Sequence, residues 1–150
     1  MTEDKPAGAD KPKKKKPPIK RNYLYAVGRR RTATARVRLY LKKGPLIVNG
    51  QPIEQYFPGE INKTQYLLPF TLIDKVGAFS ATIKVAGSGK KSQLGAIVHG
   101  LSRALSANDA KEFKPTLKRA GMLTRDSRKR ERRKVGTGGK ARRKKQSPKR

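Results

Sequence analysis

The chain has 150 residues and carries 39 Lys+Arg against 10 Asp+Glu, a formal net charge of +29. Such a charge destabilises a compact state by self-repulsion unless a polyanion neutralises it, so nucleic acid leads among partner classes. With no cysteine and one histidine, the sequence excludes a disulfide framework and a Cys/His zinc site; no apolar run approaches a membrane span, and no signal-peptide pattern opens the chain.

Charge is unevenly laid out along the chain. Residues 1–22 hold 8 Lys/Arg and 3 acids, with Pro6, Pro12, Pro17 and Pro18 around the lysine run Lys13 to Lys16. Few apolar residues, prolines and like charges predict a disordered basic arm. Residues 23–124 hold 17 basic and 5 acidic residues and most of the apolar side chains, an ordinary length for one globular domain. Residues 125–150 return to 14 Lys/Arg against 2 acids, a second basic extension.

Within the domain, "YLYAVGR" (Tyr23 to Arg29) predicts a first strand. "TARVRLYL" predicts its hairpin partner, with Ala35, Val37, Leu39 and Leu41 on an apolar face and Thr34, Arg36, Arg38 and Tyr40 on an open one. "PLIVNG" predicts a third strand stopped by Asn49-Gly50. "PFTLIDKV" predicts a helix that Pro69 opens, proline being suited to a first helical turn. "FSATIKVAG" alternates Phe79, Ala81, Ile83 and Val85 against Ser80, Thr82 and Lys84, a fourth strand. "SQLGAIVHGLSRAL" carries Leu94, Ile97, Val98, Leu101 and Leu105 at helical spacing, and a shorter helix is expected over Glu112 to Arg119. The fold expected is α+β: a four-stranded sheet with helices packed on one face.

Features resembling enzyme sites fall short. "AGSGKKSQ" joins a strand to a helix, as nucleotide-binding loops do, but Lys84 stands where a P-loop needs glycine and Lys91 where it needs Ser or Thr. As a dinucleotide fingerprint it has Gly87 and Gly89, with Ser92 at the third glycine position. The segment reads as a glycine hinge, or as a helix N-terminus where Lys90 and Lys91 meet a backbone phosphate. His99 lies off the apolar stripe with no Cys, Asp or Glu nearby, a packing residue rather than a general base. Glu54, Glu60, Asp74, Asp109 and Glu112 are scattered, and Asp109 is placed to cap the helix after it. Gly95, Ala96 and Gly100, on the polar side of their helix, would admit an RNA backbone closely. No catalytic residue, metal, cofactor or small-molecule substrate is expected.

The arginines are more informative. Arg29, Arg30 and Arg31 fall at a strand end and Arg36 and Arg38 on an open strand face, with no acid among them. Residues 44–89 are balanced, Lys63, Lys75 and Lys84 offsetting Glu54, Glu60 and Asp74. A cationic face beside a neutral one marks a binding surface, and the guanidinium fork suits phosphate.

"GRRRTATARVRL" (Gly28 to Leu39), "VNGQPIEQYF" (Val48 to Phe57), "GAIVHGLSRAL" (Gly95 to Leu105), "LKRAGMLTRDSRKRERRKVG" (Leu117 to Gly136) and the terminal "QSPKR" occur in that order. Together they resemble the ribosomal protein S9 family of the small subunit, bacterial or organellar type, from about Tyr23 to Arg150. The resemblance implies a four-stranded sheet with two main helices, like the ribosomal protein S5 domain-two-like fold, with a left-handed β-α-β crossover. It implies a structural role in the subunit head, bound to the 3′ domain of the small-subunit ribosomal RNA among neighbouring head proteins, in the bacterial cytoplasm rather than an organelle and with no membrane.

By matching position, Arg29, Arg30, Arg31, Arg36, Arg38, Arg125, Arg128, Lys129, Arg130, Arg132 and Arg133 would meet ribosomal RNA. Lys90, Lys91, Arg142, Arg143, Lys144 and Lys145 are assigned to the same RNA by their charge. Lys149 and Arg150 would touch the anticodon stem-loop of peptidyl-site tRNA. Ser92, Val98 and Ser147-Pro148 depart from the family pattern, which commonly has Gly, Arg and Phe-Ser there. Two other classes stay open on sequence: a nucleic-acid compactor acting through charge alone, and an enzyme of related β-α-β architecture.

Overall fold

A computed structural model describes residues 22–130 and 132. The arm of residues 1–22 therefore lies outside the described residues except for Asn22, as do Arg133 and everything beyond it.

β1 (Leu24–Arg30) and β2 (Ala33–Tyr40) form an antiparallel hairpin over a two-residue turn, Arg31-Thr32, with Arg30 opposite Ala33 and Leu24 opposite Leu39. Arg31 sits in the left-handed region, φ 52°. The alternation read in β2 is the alternation observed: Ala33, Ala35, Val37 and Leu39 are buried, while Arg36 and Arg38 are exposed. Leu41 falls past the strand end and is 60% exposed rather than inside.

The sheet has five strands, not four. β3 (Leu46–Val48) and β4 (Gln51–Pro52) make a second hairpin across Asn49-Gly50. Both turn residues have positive φ, 51° and 86°, the backbone of a type I′ turn. Asn-Gly therefore reverses the chain instead of only stopping it. Pro52 has no N–H for a ladder, so β4 ends after two residues and stays at the edge. β5 (Ser80–Ala86) pairs antiparallel with β2 and parallel with β3, giving the order β1-β2-β5-β3-β4. Where β3 ends, the Asn49 side chain continues the pairing: Nδ2 donates to the Val85 carbonyl at 3.0 Å, and Oδ1 accepts from the Val85 N–H at 2.9 Å.

The connection from β4 to β5 runs through α1 (Ile53–Tyr56) and α2 (Glu60–Thr71). The expected helix opening at Pro69 is thus corrected: Pro69 lies in the last turn of a helix that starts nine residues earlier. The stripe Tyr66, Pro69, Phe70 and Ile73, buried at spacings of three and four, holds that helix down. The missing N–H costs one hydrogen bond near the helix end, and burial of the proline ring offsets it. α3 (Lys90–Asn108) packs across β1 and β2, and α4 (Phe113–Arg119) docks on α3 through Phe113 and Leu117. Asp109 Oδ1 accepts the N–H groups of Lys111 and Glu112, capping the turn that leads into α4. After α4 the chain reverses at Gly121, φ 72°: its N–H donates to Lys118 and that of Met122 to Leu117, the paired bonds of a Schellman motif.

The core lies between the sheet and the helices, with Val37, Leu39, Val48, Ile83, Ile97, Leu101, Leu105 and Leu117 fully buried. At its centre α3 and β1 touch through glycine. A Cβ on Gly28 would overlap the Ala96 carbonyl and the Gly100 backbone, and one on Gly100 would lie 2.7 Å from Val37 Cγ2. Ala96 and Gly100 are buried, so the close approach they permit is to a strand of the same chain and not to RNA.

Candidate nucleic-acid interface

The pairing register decides which cations share a surface. Arg36 stands opposite Val27 in β1 and Lys84 in β5, and Arg38 opposite Tyr25 and Thr82. All these residues lie on the face turned away from the helices. Arg36 and Lys84 are cross-strand neighbours of like charge, an arrangement that destabilises a sheet when nothing neutralises it. No acid stands on this face in β1, β2 or β5, and the ion pairs among the described residues involve neither Arg36, Arg38 nor Lys84. Lys84 is a member that the sequence reading missed. Counted within residues 44–89 its charge cancels, and only the register sets it beside Arg36.

The arginines of the first hairpin separate. Arg29 is exposed on the open face, opposite Thr34, and Arg31 is exposed in the turn. Arg30 points the other way, to the helix side, where it lies over Gly95 of α3. Its guanidinium comes within 3.4 Å of Asp126 Oδ2. Asp126 also accepts from the Arg128 backbone N–H at 3.1 Å and from its guanidinium at 3.0 Å through each carboxylate oxygen. These Arg128 hydrogen bonds first, and the charge of Arg30 after them, hold the Asp126 carboxyl far below the usual carboxylate range. The carboxylate therefore anchors the start of the basic segment beside the hairpin turn.

A second fastening lies one turn along α3. The Arg29 N–H donates to His99 Nδ1 at 3.2 Å, and the Arg103 guanidinium donates to the Val27 carbonyl. Both backbone groups belong to β1, the edge strand, and α3 side chains satisfy them. Burial first, then the charges of Arg103 and Arg125, push the His99 pKa below its ordinary value. The Arg29 N–H, which needs the unprotonated Nδ1, favours the same neutral ring, and a backbone contact with Leu123 opposes the shift only in part. His99 is thus a neutral packing residue that brings together β1, α3 and the segment after α4. Arg103, absent from the residues picked on sequence, ties α3 to β1 with a charged side chain.

At the glycine hinge, Gly87 and Ser88 take positive φ, 82° and 52°, and α3 begins directly after Gly89. Lys90 is already engaged: its Nζ sits 3.3 Å from the centroid of the Tyr56 ring and 3.5 Å from the Tyr56 carbonyl. Lys91 is exposed beside it. Arg125, Arg128, Lys129, Arg130 and Arg132 are exposed along the segment after α4. The structure therefore brings Arg36, Arg38 and Lys84 together on one face, and Arg29, Arg30, Arg31, Arg103, Arg125 and Arg128 around the hairpin end. Lys90 and Lys91 open α3, Lys91 one turn before the Gly95 that Arg30 lies over. Arg133, Arg142, Arg143, Lys144, Lys145, Lys149 and Arg150 lie outside the described residues.

Among the described residues no cluster of His, Cys, Asp or Glu is arranged to hold a metal, and no helix is long and apolar enough to cross a membrane. Residues 28–150 match the family model of ribosomal protein S9/S16. The chain is 44% identical over 117 residues to the small ribosomal subunit protein uS9 of Dehalococcoides mccartyi, over 78% of this chain and 88% of the relative. It is also 44% identical over 121 residues to the protein of that name from Maridesulfovibrio salexigens, over 81% and 92%.

Proposed function

This chain belongs to the ribosomal protein S9/S16 family, a family of ribosomal structural proteins and not of enzymes, and from that premise we propose how its surfaces serve the small subunit. The open face of β1, β2 and β5 and the cations around the hairpin end bind the 3′ domain of the small-subunit ribosomal RNA in the subunit head, beside neighbouring head proteins. The basic segment that starts at Arg125 continues along that RNA, with Arg133 and Arg142 to Lys145 on phosphates. Lys149 and Arg150 reach the anticodon stem-loop of tRNA in the peptidyl site. The ribosome in question is the cytoplasmic one of a bacterium, in line with the bacterial source of both relatives. The parallel connection from β3 to β5 through α1 and α2 is the crossover whose left hand the family resemblance implies.

One observation carries the RNA reading: Arg36, Arg38 and Lys84 share a rigid face with no acid, and Arg36 and Lys84 are cross-strand neighbours. A phosphate backbone turns that repulsion into affinity through counterion release. Phosphate contacts position without reading sequence, which suits a peptidyl site that accepts every tRNA. The test is sedimentation of the tagged protein with ribosomal particles after a high-salt wash. Retention on small subunits supports the reading; release as free protein or on bulk nucleic acid would mean a compactor held by charge alone.

A further inference from the structure

We propose that Tyr25 is a stacking platform for one unpaired RNA base, a site resting on the RNA-binding reading above and adding a recognition element to it. Tyr25 lies on the open face and is 47% exposed, in register with Arg38. It is not an isolated surface aromatic. Tyr23 and Tyr40 meet edge to face 5.8 Å apart at the same end of the hairpin, and the Arg38 guanidinium carbon stands 5.3 Å from the Tyr23 ring centroid. Leu41, 60% exposed, and Lys42 continue this corner as lining of a groove of about 520 Å³. The corner thus combines exposed aromatic and aliphatic surface with guanidinium groups on a sheet that cannot collapse to hide them.

That combination selects a single strand over a duplex. A helix of RNA buries the faces of its bases in the stack and offers a sheet only phosphate and ribose, for which an aromatic ring has no use. A single strand offers a π-face and a phosphate within one nucleotide. Arg36 and Arg38 are two residues apart along β2, about 6.7 Å at strand rise. They can therefore hold successive phosphates while the base between them lies on Tyr25. Stacking is indifferent to base identity, so the site orders a loop or a bulge without reading it.

The experiment uses the full chain, an oligoadenylate, an abasic ribose-phosphate strand of equal length and charge, and an RNA duplex. Binding is measured in high salt, where the phosphate contribution is suppressed. Wild-type protein is expected to prefer oligoadenylate to the abasic strand by about tenfold. Tyr25→Ala should abolish that preference while leaving the abasic and duplex affinities unchanged. Tyr25→Phe should retain it, which separates loss of the ring from loss of the fold. A preference that survives Tyr25→Ala, or an equal fall for all three ligands, overturns the platform alone. Absence of binding to any of the three at low salt overturns the RNA reading together with it. A polyglutamate peptide whose binding depends on Tyr25 would assign the face to an acidic protein and overturn the proposal.

Discussion

The Arg29 backbone N–H and His99 Nδ1 meet at 3.2 Å, so an α3 side chain closes a hydrogen bond that edge strand β1 would otherwise offer to solvent. The bond needs the Nδ1 lone pair, and burial and Arg103 already favour the neutral ring. A histidine whose folded pKa is lowered binds fewer protons in the native than in the unfolded state. Its stabilisation is present above the ordinary value of 6.5, and it is lost as the pH falls from there through the folded pKa. His99 is the one histidine in the chain, so loss of stability in this window has a single source. Urea unfolding should show a lower midpoint below the ordinary histidine range than above it. His99→Ala should remove that dependence and cost about 1 kcal/mol at neutral pH.

The Gly28–Gly100 contact should be intolerant of any side chain. Gly28→Val and Gly100→Val should each destabilise the domain by about 3 kcal/mol or prevent folding, because the obstacles are backbone atoms and the fully buried Val37. Gly89 is the control: an added Cβ meets nothing within 4 Å, and the residue precedes α3 at φ −95° with no side-chain cap. Gly89→Ser should be neutral or gain a few tenths of a kcal/mol. Thermal unfolding of the three variants decides; tolerance of Gly28→Val would mean that α3 does not lie against β1 as described.

On the sheet face, Arg38→Gln should leave the melting temperature unchanged, since its side chain is exposed, and Arg36→Gln should raise it slightly by relieving the repulsion with Lys84. Each should weaken RNA binding and make the slope of log K against log salt shallower by about 0.7–0.9. Val37→Asp, between them but fully buried, should unfold the domain by placing an unpaired charge in the core. The opposite pattern would reverse the strand's facing.

Asp126→Ala removes the acceptor shared by Arg30 and Arg128. Global stability should change little because the pair is solvent-exposed and screened. The Arg128 amide should exchange faster with solvent, and RNA affinity should rise as one anion is lost beside the interface. With its pKa so far lowered, Asp126 keeps both partners through mild acid that protonates ordinary carboxylates. Its contribution is present above the unfolded value and is lost only as the pH falls through the lowered one. Amide exchange of Arg128 that is the same in wild type and variant would remove the anchoring role.

Deleting Lys149 and Arg150 should leave subunit assembly nearly unchanged and speed tRNA dissociation from the peptidyl site, by about 1 kcal/mol for each lost contact. Dissociation from reconstituted small subunits carrying the shortened chain is the measurement. Unchanged rates across salt concentrations would make the terminus an assembly element.

Local periodicity determined much of this protein before any tertiary contact was considered. Period-two alternation placed β2 and β5 and turned Arg36 and Arg38 outward, and the stripe from Leu94 to Leu105 marked α3, because strand and helix each impose a spacing on whatever face they bury. Charge alone indicated a polyanion. Other features had no local signature. Arg30 follows Arg29 in an unbroken basic run, yet strand geometry sends the two to opposite faces, one to solvent and one across Gly95 to Asp126. Pro69 reads as a helix opener until the burial of Tyr66 and Phe70 shows which turn it occupies. The two-residue β4 exists because β3 is there to pair with it, and Lys84 joins Arg36 only through the β2–β5 register. Pairing, packing and register are relations between residues distant in the chain, and a pattern along the chain records only one partner of each.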